Sequence, residues 1–179
     1  MRIPTRYYGC KWQHRHEIIR AMPRLESIGE YREPMGGTAA IAFAIAERKI
    51  PTWVNDNDKY PMLFLAAMKN RPQELTEKLY QLRPYRTGEP RSEARDNEIT
   101  LNTYDCALSA TSPVLAPDSL RDAVSWYIAN RTIHGGRVRF DRPTRMHVTA
   151  PGYFNELAIG RISEASPLIQ HWKISVGDF

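Results

Sequence analysis

Tyr31-Arg32-Glu33-Pro34-Met35-Gly36-Gly37-Thr38, continued by Ala39-Ala40-Ile41-Ala42-Phe43-Ala44-Ile45-Ala46, is the stretch that decides how the chain is read. A charged strand closes at about Glu33, a Gly-Gly pair turns the chain sharply, and Thr38 offers a hydroxyl where a helix N-cap is expected. Ala39 to Ala46 is apolar on nearly all sides, which predicts a buried helix whose small side chains pack closely against a sheet. Strand, glycine turn and helix in this order form the opening half of a nucleotide-binding βαβ unit.

The continuation fits that unit. Glu47-Arg48-Lys49 ends the helix with two cations where its dipole favours them, and Pro51-Thr52-Trp53-Val54 predicts a short second strand that stops at Asn55-Asp56-Asn57-Asp58. Asp56 follows Glu33 by roughly twenty residues, the separation at which a dinucleotide-type unit places the acid that binds ribose hydroxyls. Lys59 to Asn70 reads as a helix with Pro61 in its first turn and Met62, Leu63, Leu65, Ala66 and Met68 on its apolar face. Arg71-Pro72 breaks it, and Gln73 to Leu82 predicts another short helix. Upstream, Tyr8-Gly9-Cys10-Lys11 reads as a turn and Glu17 to Met22 as a helix stopped by Pro23.

Beyond Leu82 the character changes. Residues 83–117 combine prolines, many charges and weak periodicity, the mark of an insertion or surface excursion. A helix is expected to resume over Asp118 to Ile128, capped by Asp118 or Ser119, and to lead into Asn130-Arg131. From there to Thr149, Arg131, Arg137, Arg139, Arg142 and Arg145 with His134 and His147 stand against Asp141 alone. Arg137-Val138-Arg139-Phe140 alternates like a strand between turn signals, so this segment is either a basic hairpin that reaches a nucleic-acid groove or a solvated edge ribbon. Ile162 to Ser166 predicts a short helix, and His171 to Val176 a returning strand that ends at Gly177-Asp178-Phe179.

At 179 residues the chain can bury one ordinary core with room for a sizeable insertion, and two full domains are not expected. Its net charge of +5 and sequence pI near 9.3 favour a polyanionic partner. Cys10 and Cys106 lack the paired spacing of a zinc site and argue against both a disulfide framework and a structural metal, which points to a reducing, cytoplasmic compartment. No apolar run is long enough to cross a bilayer and no signal-peptide core is present. Gly36-Gly37 is not followed by Gly-Lys-Ser/Thr, so an NTPase phosphate loop is excluded.

Taken together, these pieces resemble the DNA adenine-N6 methyltransferases of the GATC-methylating (Dam-like) type and their phage and restriction-modification relatives. That family's Gly-Gly-Lys motif is matched by Gly9-Cys10-Lys11. Its Glu-Pro-Phe-x-Gly-x-Gly is matched by Glu33-Pro34-Met35-Gly36-Gly37-Thr38-Ala39, and its Asn-Asp by Asn55-Asp56. Its helix leading to Asn-Arg, Gly-rich basic turn and Phe-Asn are matched by Trp126 to Arg131, Gly135-Gly136 and Phe154-Asn155, and its strand ending Asp-Phe by Asp178-Phe179. The resemblance runs through most of the chain in order.

It implies an α/β fold: a Rossmann-like S-adenosylmethionine-dependent methyltransferase core, incomplete here, with an inserted, partly helical DNA-recognition region. The parts would be a cofactor-binding portion at 1–82, a target-recognition region at 83–165 and a returning core strand at 166–179. For S-adenosylmethionine, the resemblance implies Asp56 at the ribose and the Glu33, Met35, Gly36, Gly37 and Thr38 turn around the methionine part. Lys11 with Tyr7 or Tyr8 would lie at the amino-acid end, and Asp178 and Phe179 would border the adenine. For double-stranded DNA it implies Asn130, Arg131, Arg137, Arg139, Arg142 and Arg145. The departures are Cys10 for a glycine, Met35 for a phenylalanine and, above all, the missing catalytic Asp-Pro-Pro-Tyr. The expectation is therefore a fragment, or one subunit of a split enzyme whose second chain carries that half; the alternatives are a non-catalytic DNA- or cofactor-binding protein and a basic interaction module.

Overall fold

In the computed structural model, the residues described are 3–5, 9–82, 84–99, 120–132 and 151–178. Three parallel strands form the sheet in the order β1-β2-β3, with β1 at Tyr31–Glu33, β2 at Thr52–Asp56 and β3 at Lys173–Val176. β2 is central, pairing Glu33 with Val54 on one side and Ile174 with Val54 on the other. Two parallel neighbours must be joined by crossovers, and here these are of very different lengths. β1 reaches β2 through helix α2 at Ala40–Ile45 and a 3₁₀ turn at Ala46–Arg48, whereas β2 and β3 are separated by more than half of the chain.

The predicted elements of the first half are present with shifted ends. Helix α1 spans Arg15–Ala21 after a 3₁₀ turn at Lys11–His14, and it stops before Pro23 as expected. β2 runs two residues past Val54, to Asp56, because Asn55 and Asp56 still pair with Ser175 and Val176 of β3. α3, Lys59–Asn70, is capped by Asp58, whose carboxylate accepts the Tyr60 N–H, and Pro61 lies in its first turn. α4 covers Pro72–Gln81.

Two helices come from the later part of the stretch assigned to target recognition. α5, Leu120–Thr132, is the helix expected to resume near Asp118; it runs four residues past Ile128 and is buried on every side from Ala123 onward, so it is a central core helix. It packs against α3, where Phe64 stacks on Tyr127 with ring centroids 5.0 Å apart and meets Trp126 at 5.4 Å. α6, Glu156–Ala165, is ten residues long where the sequence predicts only a short helix at Ile162. Asn155 starts it early, its side-chain oxygen accepting the Ala158 N–H at 2.9 Å. α6 packs on α4, and the Tyr127 hydroxyl donates to the Ala158 carbonyl at 2.7 Å. Lys69 Nζ donates to the Trp172 carbonyl at 2.6 Å and Gln170 to the Lys69 carbonyl, which fixes the end of α3 against the start of β3. Among the described residues, no helix is long and apolar enough to cross a membrane.

Candidate cofactor site at the strand ends

The carboxyl ends of the three strands meet at the glycine turn. Gly36 N–H donates to the Asn55 carbonyl at 2.8 Å, which presses the turn onto β2. A Cβ at Gly36 would stand 2.5 Å from Val54 Cγ1 and 3.3 Å from the carbonyls of Asn55 and Glu33, so only glycine permits this approach. Gly37 follows at φ +50, the left-handed region. Ala39, standing where the family pattern has its last glycine, also takes a left-handed conformation, with φ 54 and ψ 42.

Thr38 does not cap the helix. The residue before α2 is Ala39, which makes no side-chain cap, and the Thr38 hydroxyl instead faces Cys10 Sγ at 3.9 Å. The capping falls to Glu33, whose Oε2 accepts the Ala42 N–H at 2.9 Å from across the turn. The left-handed backbone at Gly37 and Ala39 is the reason: it swings the helix start toward the end of β1. Burial pushes the Glu33 carboxyl up to about 7, against the backbone N–H groups of Ala42 and Ile41 and the Tyr31 hydroxyl, all of which favour the ionised form. The Tyr31 hydroxyl is pushed up in turn, by its own burial first and then by the Glu33 charge.

Asp56 occupies the junction. Its Oδ2 accepts the Gly37 N–H at 2.7 Å and its Oδ1 the Asp58 N–H at 2.9 Å. A carboxylate offers about four acceptor positions; among the described residues two are used on this half-buried side chain. On its far side, Gly177 N–H donates to the Asp56 carbonyl at 3.2 Å, which brings the exposed Asp178 to the same end of the sheet. The contact between Thr38 and Cys10 sets the exposed Lys11 beside the turn. Met35 is 86% exposed on the turn's outer side.

The structure thus brings together Glu33, Met35, Gly36, Gly37, Thr38, Asp56, Asp178 and, through Cys10, Lys11. Tyr7, Tyr8 and Phe179 lie outside the described residues, as do Arg137, Arg139, Arg142 and Arg145. Asn130 and Arg131 are elsewhere in the molecule, buried on α5, with Arg131 Nε donating to the Tyr153 carbonyl at 3.1 Å. Sequence reasoning missed Asn55 as a site residue: its side chain joins the Pro34 and Gly177 carbonyls. The available signal was the Trp53-x-Asn55 alternation, which puts both on one face of β2.

The profile of the D12 class N6 adenine-specific DNA methyltransferases matches residues 7–179. The chain belongs to that family. The match covers the glycine turn, Asp56, both helices α5 and α6, and the returning strand. No curated protein sequence matches the chain.

Proposed function

We propose that this D12-class chain binds S-adenosylmethionine at the carboxyl ends of β1, β2 and β3 and takes part in adenine-N6 methylation of duplex DNA. The observation that carries the reading is the 2.7 Å bond from Gly37 N–H to Asp56 Oδ2, which holds the acid and the glycine turn together. The residues fit the group. Asp56 would accept the ribose hydroxyls, and the Gly36–Thr38 backbone would lie against the methionine part. Lys11 would face its carboxylate and Asp178 the adenine edge. S-adenosylmethionine supplies a methyl group on a sulfonium centre, and the acids Asp56 and Asp178 suit its positive charge.

In this reading the core is Rossmann-like and the segment between α4 and β3 carries target recognition. Arg137, Arg139, Arg142 and Arg145 would contact phosphates and guanine edges. Asn130 and Arg131, being buried, would support that segment through the Tyr153 turn. The adenine would have to leave the stack to receive the methyl group. Hydrogen bonds to its amino group would come from an Asp-Pro-Pro-Tyr segment outside residues 1–179, either further along the same polypeptide or on a second chain. The second reading is a non-catalytic protein that keeps cofactor or DNA binding. Cytoplasmic location fits both.

Calorimetric titration of S-adenosylmethionine into the wild-type chain and Asp56→Ala tests the assignment. Heat that the substitution removes is the expected result, and no heat from the wild type refutes it. Methyl transfer to a GATC-containing duplex, assayed with and without a supplied Asp-Pro-Pro-Tyr half, separates the two readings.

A further inference from the structure

A chain of hydrogen bonds crosses the sheet just below the glycine turn. Trp53 Nε1 donates to Ser175 Oγ at 2.7 Å, Ser175 Oγ donates to Asn55 Oδ1 at 2.7 Å, and Asn55 Nδ2 donates to the Gly177 carbonyl at 2.8 Å and the Pro34 carbonyl at 3.3 Å. An indole N–H can only donate, so it fixes the polarity of every later link. The Ser175 hydroxyl accepts from Trp53 and must give its own proton to Asn55 Oδ1, and that turns Asn55 Nδ2 toward the two carbonyls. Asn55 is buried on the central strand. It therefore ties β2 to the residue that follows β1 and to the residue that follows β3.

Those two attachment points border the cofactor site. Pro34 opens the turn that leads to Gly37, and Gly177 precedes Asp178. Asp56, the next residue after Asn55, holds Gly37 N–H from the same strand end. We infer that Asn55 is a positioning residue for cofactor binding. It sets the spacing between the Pro34–Thr38 turn and the Gly177–Asp178 end, with Ser175 acting through it. This rests on the S-adenosylmethionine reading above. An aspartate at position 55 has nearly the same shape but no N–H, so it can make neither carbonyl bond and it adds a charge beside Asp56.

The test is calorimetric titration of S-adenosylmethionine into the wild type, Asn55→Asp, Ser175→Ala and the double variant, with the ligand-free unfolding midpoint of each. Asn55→Asp should raise Kd about tenfold and Ser175→Ala about threefold, the losses expected for one or two hydrogen bonds. The double variant should bind no more weakly than Asn55→Asp, because Ser175 has no separate path to the site. Ser175→Ala removes a single hydroxyl and keeps the test readable should Asn55→Asp fail to fold. Wild-type affinity in Ser175→Ala at a lowered midpoint would make the network a scaffold only and overturn the inference, as would additive losses in the double variant. A wild type that binds no S-adenosylmethionine overturns the cofactor reading itself, and this inference with it.

Discussion

Glu33 gives the sharpest prediction, because its sign separates two opposing forces. Burial disfavours the carboxylate, while the Ala42 and Ile41 N–H groups and the Tyr31 hydroxyl favour it; burial wins, and the group titrates at about 7 against an ordinary value of 4.5. Between those two pH values the folded chain holds a proton that the unfolded chain has released. Stability is therefore full below pH 4.5, falls as pH rises, and levels off above 7, with a total loss of about 3 kcal/mol at roughly 1.4 kcal/mol per pH unit. Glu33→Gln keeps an oxygen for the Ala42 N–H and has no proton to lose. Urea unfolding of both proteins at pH 5, 6, 7 and 8 should show the Gln variant ahead by only about 0.7 kcal/mol at pH 5. At pH 8 the Gln variant should be ahead by about 3 kcal/mol, a midpoint displaced by about 1.5 M at a typical slope of about 2 kcal/mol/M. Subtracting the profiles cancels the histidines and every other group common to both. A gap that stays constant across the range refutes the reasoning. A wild type that is the more stable protein at pH 8 would mean that the helix N–H groups outweigh burial.

The remaining predictions follow from packing, caps and charge. Gly36→Ala forces a Cβ against Val54 Cγ1, which a β-branched residue on the central strand cannot move aside, and should cost about 1–3 kcal/mol in thermal unfolding. Gly29→Ala, with nothing within 4 Å, should change stability by less than about 0.5 kcal/mol and serves as its control. Asn155→Ala removes the Ala158 cap of α6 and should cost about 1 kcal/mol by chemical denaturation. DNA affinity should fall steeply between 50 and 200 mM salt, and replacing Arg137, Arg139, Arg142 or Arg145 by a neutral residue should flatten the slope by about one for each phosphate no longer neutralised; a salt-insensitive affinity would count against that segment as a phosphate-binding surface.

The sequence by itself determined the parts that rest on short-range rules. Glycine tolerance placed the turn at Gly36-Gly37, apolar periodicity and Pro61 placed α3, and Arg71-Pro72 placed the break before α4. The ordered motifs named the family. Where two local signals competed, the chain's own neighbours could not decide: Thr38 has the side chain of a cap for α2, but the left-handed turn gives that place to Glu33, nine residues before Ala42. Tertiary structure alone decided what depends on distant pairing. The sequence foresaw the helix α5 but not its burial on every side, which comes from α3 packing against it, and Asn155 carries a motif match in the sequence while its role as a cap shows only in the fold. At the glycine turn, sequence supplied Asp56 by spacing, but the partners that fix the strand ends lie far apart in the chain. Ser175 meets Asn55 across 120 positions, and no local pattern encodes a hydrogen bond that exists only once β3 has docked on β2.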